Sequence, residues 1–401
     1  MFARTLSLYK NAYSGLSIST WLLSLVMLVN RSGTMVVPFM SIYLTSPEMG
    51  YSIGQAGVVM GLFGLGAVVG GFVGGRITDS TGFYAVQVGT LLGGGILFIL
   101  LGQMKSYPLI CLFSFFLSMV NEAFRPANAT AVATYSNENN RTRSYALNRL
   151  AINLGWAVGG ATGGYIASIN YELLFWVDGF TNIAAALLLL YFFRPSTNNL
   201  KTVTREDAPI NTVSAYRDRV YIAFILLTVL FATCFFQMFT TLTVYFKKDL
   251  HFTESYIGFL MAVNGLVITF IEMVLVFKLE GKRRNTFYIA CGVFMCGLSY
   301  LMLNLFFITH LLAIVMILLI TFGEIFSMPF MNAFWIGRSG THNRGQYAGL
   351  YTIAWATAQT CGPLFGSLIA NRFGFEPLWW MIGALCVSSA FGFYLLHKYL
   401  R

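Results

Sequence analysis

Residues 121–164, NEAFRPANATAVATYSNENNRTRSYALNRLAINLGWAVGGATGG, decide the fold. The stretch joins two apolar segments through a short basic loop. Glu122, Arg125 and Pro126 lie inside the first segment, and a ladder of glycines lies inside the second. A thinner copy follows later in the chain. Pro126 and Pro329, Arg141 and Arg344, Gly159 and Gly362, and Gly163 and Gly366 are each 203 positions apart (329 − 126 = 203). Glu122 and Glu324 correspond to within one residue. A repeated helical hairpin, with charge at one end and close-packing glycine at the other, predicts a membrane protein built from two related halves.

Composition agrees. Of 401 residues, 10% are charged and 57% apolar, whereas a soluble domain carries about 25% charged residues. A spanning helix needs roughly 20 mainly apolar residues. That measure places six spans near 17–45, 53–78, 84–103, 108–135, 143–168 and 173–193, and six more near 220–246, 254–278, 285–307, 311–337, 345–370 and 376–397. The expected fold is an all-α integral membrane protein of twelve transmembrane helices in two pseudo-symmetric six-helix bundles. The bundles are 1–193 and 220–401, joined by a polar linker at 194–219.

The net charge of +10 raises the question of nucleic acid, and its distribution answers it. With both termini inside, eighteen Lys and Arg residues fall on the cytoplasmic side, and only Lys105, Lys247, Lys248 and Arg372 fall outside. The basic residues orient the chain in a membrane, so no nucleic acid partner is expected. The six cysteines sit in apolar segments without a CxxC pair, and His251, His310, His342 and His397 lie in or near loops. Neither set forms a metal or redox motif, so no metal, cofactor or enzymatic activity is expected. No phosphate-binding glycine loop precedes a lysine, which leaves an ion gradient or the solute itself as the energy source.

Two signatures then carry a resemblance. Gly75-Arg-Ile-Thr-Asp79-Ser-Thr-Gly82 lies between the second and third spans, and Gly155-Trp-Ala-Val-Gly159-Gly-Ala-Thr-Gly163-Gly lies in the fifth. In these the chain resembles the major facilitator superfamily, most closely its twelve-span drug:proton antiporters. Ser80 and Tyr84 replace basic residues of the first pattern, and Gly160 replaces a proline of the second. The resemblance implies a conformational latch at Gly75, Asp79 and Gly82. It also implies helix-packing or sliding faces at Gly155, Gly159 and Gly163, repeated at Gly362 and Gly366. The second span adds further glycines suited to moving surfaces.

Ionisable residues inside spans are costly and are functional candidates. They are Arg31, Glu122, Arg125, Arg149, Asp178, Glu272 and Glu324. Glu122 and Arg125 share a helix face and neutralise each other or serve in proton handling. Arg31 shares Glu122 or reaches Asp178, and both Asp178 and Arg149 are expected to be partly wet. The second half has no Lys or Arg within its spans to match Glu272 and Glu324, so those acids are the proton-coupling candidates. An apolar and aromatic cavity with a few polar anchors draws on Asn30, Met35, Tyr43, Phe124, Asn128, Phe235, Gln237, Tyr245, Asn264, Asn332, Trp335, Trp355 and Gln359. With a carboxylate it suits an amphipathic cation.

The expected function is a proton-coupled secondary transporter, a multidrug-type exporter of hydrophobic or amphipathic small molecules. It would be a monomer in the lipid bilayer of a bacterial cell membrane. An uptake symporter for a sugar or organic acid is the alternative. The first span lacks the Glu-x-x-Glu-Arg run of proton-coupled peptide transporters, which argues against peptides.

Overall fold

The structure, a computed structural model, describes residues 15–136, 141–193, 214–279, 281–339 and 344–400. Most of the expected linker, 194–213, lies outside the described residues.

The first half contains α1 (Ile18–Ser32), α2 (Val36–Leu44), α3 (Ile53–Thr81), α4 (Phe83–Gly102), α5 (Tyr107–Tyr135), α6 (Arg141–Ile169) and α7 (Glu172–Phe192). The second contains α8 (Arg219–Phe235), a 3-10 segment (Phe236–Phe239), α9 (Thr241–Lys248), α10 (Glu254–Leu279), α11 (Asn285–Leu305), α12 (His310–Arg338), α13 (Arg344–Phe373) and α14 (Phe375–Tyr399). Taking α1 with α2 and α8 with α9, these helices form twelve spans. Ten are long and apolar enough by composition to cross a membrane. The other two, α6 and α13, have 29 and 30 residues, ample length for a span. Glycine, threonine and amide side chains dilute their hydropathy, and both carry the repeated glycine pattern.

Local sequence sets the helix ends. Ser17 caps α1 by accepting from the Thr20 N–H, and Asp218 caps α8 by accepting from the Tyr221 N–H, each at 3.1 Å. These side chains satisfy backbone donors that the first turn leaves open. Gly82, at φ +86°, makes the one-residue turn between α3 and α4, a conformation that glycine adopts without strain.

Two compact units result, one of Met1–Val36 with Gly66–Leu200 and one of Val37–Leu65 with Lys201–Arg401. In the first, α1 packs on α6 and α7, and α4 packs on α5 and α7. In the second, α8 packs on α13 and α14, and α11 packs on α12 and α14. The neighbour pattern is the same, so the sequence repeat is a structural one. The glycines of α3 serve close packing within each unit. A Cβ on Gly64 would lie 2.6 Å from the Gln359 carbonyl of α13, and one on Gly70 would lie 2.0 Å from the Met119 carbonyl of α5.

The opening span of each half is broken, where the span count expects one continuous helix. Residues 33–35 separate α1 from α2, and the 3-10 segment separates α8 from α9. Gly33 is required at the first break, since any Cβ there would overlap the Thr181 hydroxyl of α7. The repeated glycines of α6 and α13 seat these breaks. A Cβ on Gly155 would lie 2.5 Å from the Arg31 Cβ, and one on Gly159 would lie 3.1 Å from the Ser32 carbonyl. In the other unit, a Cβ on Gly362 would lie 3.0 Å from the Thr233 carbonyl, and one on Gly366 would lie 2.0 Å from Gln237 Oε1. The expected sliding faces therefore make close contacts with a broken neighbour inside their own unit. Gly163 is buried on α6.

Gly155→Ala is expected to destabilise the folded protein by roughly 1–3 kcal/mol, the usual cost of overpacking. Gly71, with nothing within 4 Å of its Cβ position, is the control, and Gly71→Ala should be neutral or stabilising by up to about 1 kcal/mol. Thermal unfolding in detergent measures both.

Candidate functional site

In the first unit the intramembrane charges separate into two groups. Asp178 of α7 is fully buried, not partly wet, because α1 and α4 pack on α7 and the backbone at Met35 and Val36 covers the carboxylate. It does not reach Arg31. Its carboxylate accepts from the Met35 N–H at 3.0 and 3.1 Å and from the Val36 N–H at 2.9 Å. It therefore caps α2 from a neighbouring helix, supplying the acceptors that the break removed. One turn along α7, Asn182 accepts from the Asn30 amide at 2.9 Å. Asp178, Thr181 and Asn182 together hold the break from one helix face.

The second group is Glu122, Arg125 and Arg31. Glu122 and Arg125 form an ion pair of 3.1 Å between Oε2 and Nε, with Arg125 largely exposed. Among the described residues, Glu122 and Arg125 act electrostatically on Arg31. Arg149, expected to be partly wet, has an exposed side chain.

Of the expected cavity residues in this half, Met35 and Phe124 are buried, and Phe124 belongs to the apolar core with Leu23, Val26 and Leu91. Asn128 accepts from the Gln87 amide and donates to Asn148, both at 3.4 Å. This amide chain crosses α4, α5 and α6, and only Asn128 was singled out from the sequence. Isolated amides inside apolar spans were the available signal for Gln87, Asn148 and Asn182. The latch positions remain divided. Gly82 makes its turn, Gly75 sits within α3 with open space beside it, and the Asp79 side chain lies outside the described residues.

In the second unit, Glu324 of α12 is half-buried and accepts from the Asn264 amide at 3.3 Å; the same amide nitrogen donates to Thr321 at 2.9 Å. Glu272 is buried. Gln237, expected in the cavity, is fully buried and supports the break instead. It donates to the Gly362 carbonyl at 2.7 Å and accepts from the Thr241 hydroxyl at 2.6 Å. The aromatic residues do converge. Trp335 lies 6.0 Å from Tyr351 and Tyr351 lies 6.2 Å from Trp355, between ring centroids. Trp355 meets Phe231, Phe235 and Phe236 edge-on at 6.3, 6.1 and 6.0 Å. Asn332 accepts from the Trp335 indole at 3.2 Å, and Gln359 is partly exposed one turn beyond Trp355. Tyr245 instead packs against Phe375 and Trp379, and Tyr43 is buried.

Residues 20–359 match the family model described as Major Facilitator Superfamily. The chain belongs to that superfamily. Among superfamily transporters it is similar to a Na(+), Li(+), K(+)/H(+) antiporter of Planococcus maritimus, at 23% identity over 92% of this chain and 94% of the relative. It is also similar to the tetracycline resistance protein, class B, of Escherichia coli, at 22% identity over 82% of each. The same fold occurs in a POT family transporter solved in complex with 5-aminolevulinic acid. That match has a TM-score of 0.80 and 14% identity over 97% of this chain and 98% of that one.

This superfamily member carries one further charged cluster, at the ends of α8, α12 and α13, that the sequence reading missed. Asp218, just ahead of the first spanning residue of α8, accepts from Arg338 Nε at 2.5 Å and Nη2 at 2.8 Å. It also accepts from the Tyr347 hydroxyl at 2.8 Å. Tyr221 donates in turn to the Tyr347 carbonyl at 2.5 Å. Its counterpart in the first unit is the contact of Ser17, the α1 cap, with the Tyr135 carbonyl at 2.8 Å, since Tyr135 and Arg338 are 203 positions apart. Burial alone would raise the Asp218 carboxyl. The bonds from Arg338, Tyr347 and the Tyr221 backbone outweigh it and hold the carboxyl below the ordinary value of 3.8.

A depressed carboxyl stabilises the fold fully above its unfolded value and loses that contribution as pH falls through the folded one. The Asp218 contribution should therefore be constant at neutral pH and fade only below the ordinary Asp value of 3.8. Asp218→Asn should cost roughly 1–3 kcal/mol at neutral pH. Pairing it with Arg338→Gln should cost less than the two single changes together. Thermal unfolding against pH for the three variants measures this.

Proposed function

We propose that this chain is a proton-coupled secondary active transporter that exports hydrophobic or amphipathic small molecules by alternating access. The observation that carries the coupling reading is the environment of Glu324. Glu122 is engaged by Arg125, Asp178 is sealed on backbone N–H groups, and Glu272 is buried. Glu324 is half-buried near the middle of α12 and accepts from the Asn264 amide, which also donates to Thr321. An amide serves either protonation state, donating to the carboxylate or accepting from the acid after a flip. A flip gives up the Asn264 bond to Thr321, whose hydroxyl already donates to the Ile317 carbonyl, so proton loading at Glu324 is linked to a local rearrangement between α10 and α12.

The wall of Trp335, Tyr351 and Trp355, with Asn332 and Gln359 at its margin, supports an apolar substrate that needs few directed hydrogen bonds. The names of the relatives, a cation/proton antiporter and a tetracycline resistance protein, support exchange against an ion and export. The biased basic residues support both termini on the cytoplasmic side, and the bacterial relatives support a bacterial cell membrane.

The test uses the full chain in proteoliposomes under an imposed proton gradient. Glu324→Gln should abolish gradient-driven dye efflux while dye binding persists, and Trp355→Ala should weaken dye binding by about tenfold. Gradient-driven efflux at wild-type rate in Glu324→Gln defeats the coupling assignment. Dye accumulation driven by the same gradient defeats export and favours uptake.

A further inference from the structure

Arg31 is the intramembrane cation that the structure leaves incomplete. It lies in the last turn of α1, just before the break. Its Nε is sealed from solvent and has no hydrogen-bond partner among the described residues. A guanidinium has five donors in a rigid plane and does not discharge, so an open donor sealed from solvent is costly. The negative end of the α1 dipole offsets only part of that charge.

The surrounding charges do not complete it. Glu122 and Arg125 are the groups acting on Arg31. Both Glu122 oxygens already face Arg125, at 3.1 Å to Nε and 3.4 Å to Nη2. Asp178, the other acid of this unit near the break, is committed to the Met35 and Val36 N–H groups. Two guanidiniums therefore share one carboxylate, and the cluster carries an excess positive charge. The glycines of α6 fix the Arg31 backbone in place, with the Gly155 Cβ position 2.5 Å from Arg31 Cβ. That contact fixes where the side chain leaves the backbone, and the planar guanidinium carries the paired donors that bidentate recognition of an oxyanion requires.

We propose that Arg31, assisted by Arg125, forms a binding site for the oxyanion group of an amphipathic substrate: a carboxylate, sulfonate or phosphate ester on an apolar body. This rests on the transporter reading and narrows it. An oxyanion at Arg31 supplies the missing acceptor and neutralises the excess charge in one step. A cationic group of the same size would add to that excess, so the amphipathic cation suggested by the acids of the sequence is disfavoured here. The same oxyanion chemistry is offered by an anionic lipid headgroup or by a solute.

The test uses the full chain in nanodiscs of phosphatidylcholine and two fluorescent probes. One is 8-anilino-1-naphthalenesulfonate, and the other is N-phenyl-1-naphthylamine, the same skeleton without the sulfonate. The sulfonate probe should bind the wild type roughly tenfold to a hundredfold more tightly than the neutral probe, as expected for a charge-assisted hydrogen bond. Arg31→Gln and Arg31→Met should bring that ratio close to one while leaving the neutral probe's affinity unchanged, which also reports an intact fold. Arg31→Lys should keep part of the preference. An unchanged ratio in the folded Gln and Met variants overturns the proposal, as does a wild type that binds only the neutral probe.

Adding phosphatidylglycerol to the discs distinguishes the source. Loss of sulfonate binding in the wild type assigns the site to a lipid headgroup, and its persistence assigns it to a solute. Proton-driven efflux of the neutral probe with no sulfonate preference would remove the oxyanion site and leave the export reading standing. An Arg31-dependent preference without proton-driven efflux would do the reverse.

Discussion

A helix that breaks inside a membrane must find partners for the backbone groups it frees, because lipid offers none. This chain breaks the opening span of each half, and much of the surrounding chemistry answers that constraint. In the first unit α7 supplies the answer. Thr181 presses against Gly33, and Asp178 places its carboxylate on the Met35 and Val36 N–H groups. In the second unit the broken segment supplies its own polar side chain. Gln237 turns its amide to the Gly362 carbonyl across α13. In both, a helix with spaced glycines lies directly against the break, since only glycine lets two backbones approach so closely.

The two units keep the same helix neighbours but have diverged in chemistry. Asn148 occupies the repeat position of Tyr351, Ile152 that of Trp355, and Val132 that of Trp335, each 203 positions apart. The first unit therefore has an amide chain where the second has an aromatic wall. Packing geometry is set by glycine and backbone and survives such exchange. Buried positions take part in the exchange, since Val132 lies in the first unit's apolar core and Asn148 is buried on α6.

The spans and the repeat were legible in the sequence because they depend on sums and spacings. Hydropathy summed over a span tolerates local error, and a recurring offset survives the replacement of most residues between its landmarks. The breaks were less legible. The first follows the polar run Asn30-Arg31-Ser32-Gly33-Thr34, whose charge points to function as readily as to a kink, and the second, at 236–239, has Gln237 as its polar residue. Asp178 was misjudged for a related reason. Counting turns from a span end gives height in the membrane, whereas burial depends on which neighbours close around that height. Gln237 looked like a cavity amide because the glycines that receive it lie over a hundred residues later. Trp335 and Trp355 stood among the cavity candidates for their residue type, whereas their approach through Tyr351 appears only in the structure.

The break also explains why the first unit holds an acid and a base that do not pair. Asp178 and Arg31 flank the same three-residue interruption, and in an apolar medium their attraction is strong. Yet the first N–H groups of α2 also need an acceptor, and the backbone cannot move away to find another. A carboxylate bonded by several N–H donors has little left to offer a guanidinium. Arg31 lies at the opposite end of the interruption, on the C-terminal turn of α1, where backbone carbonyls rather than N–H groups face outward. Each side chain thus sits at the helix end whose dipole favours its charge. The acid is consumed by that arrangement, because its partners are fixed donors of matching number. The base is not, because the carbonyls before Gly33 are partly spent on the Gly33 and Thr34 N–H bonds to the Arg31 carbonyl. Breaking one span thereby silences one charge and leaves the other available, with no further residue needed to separate them.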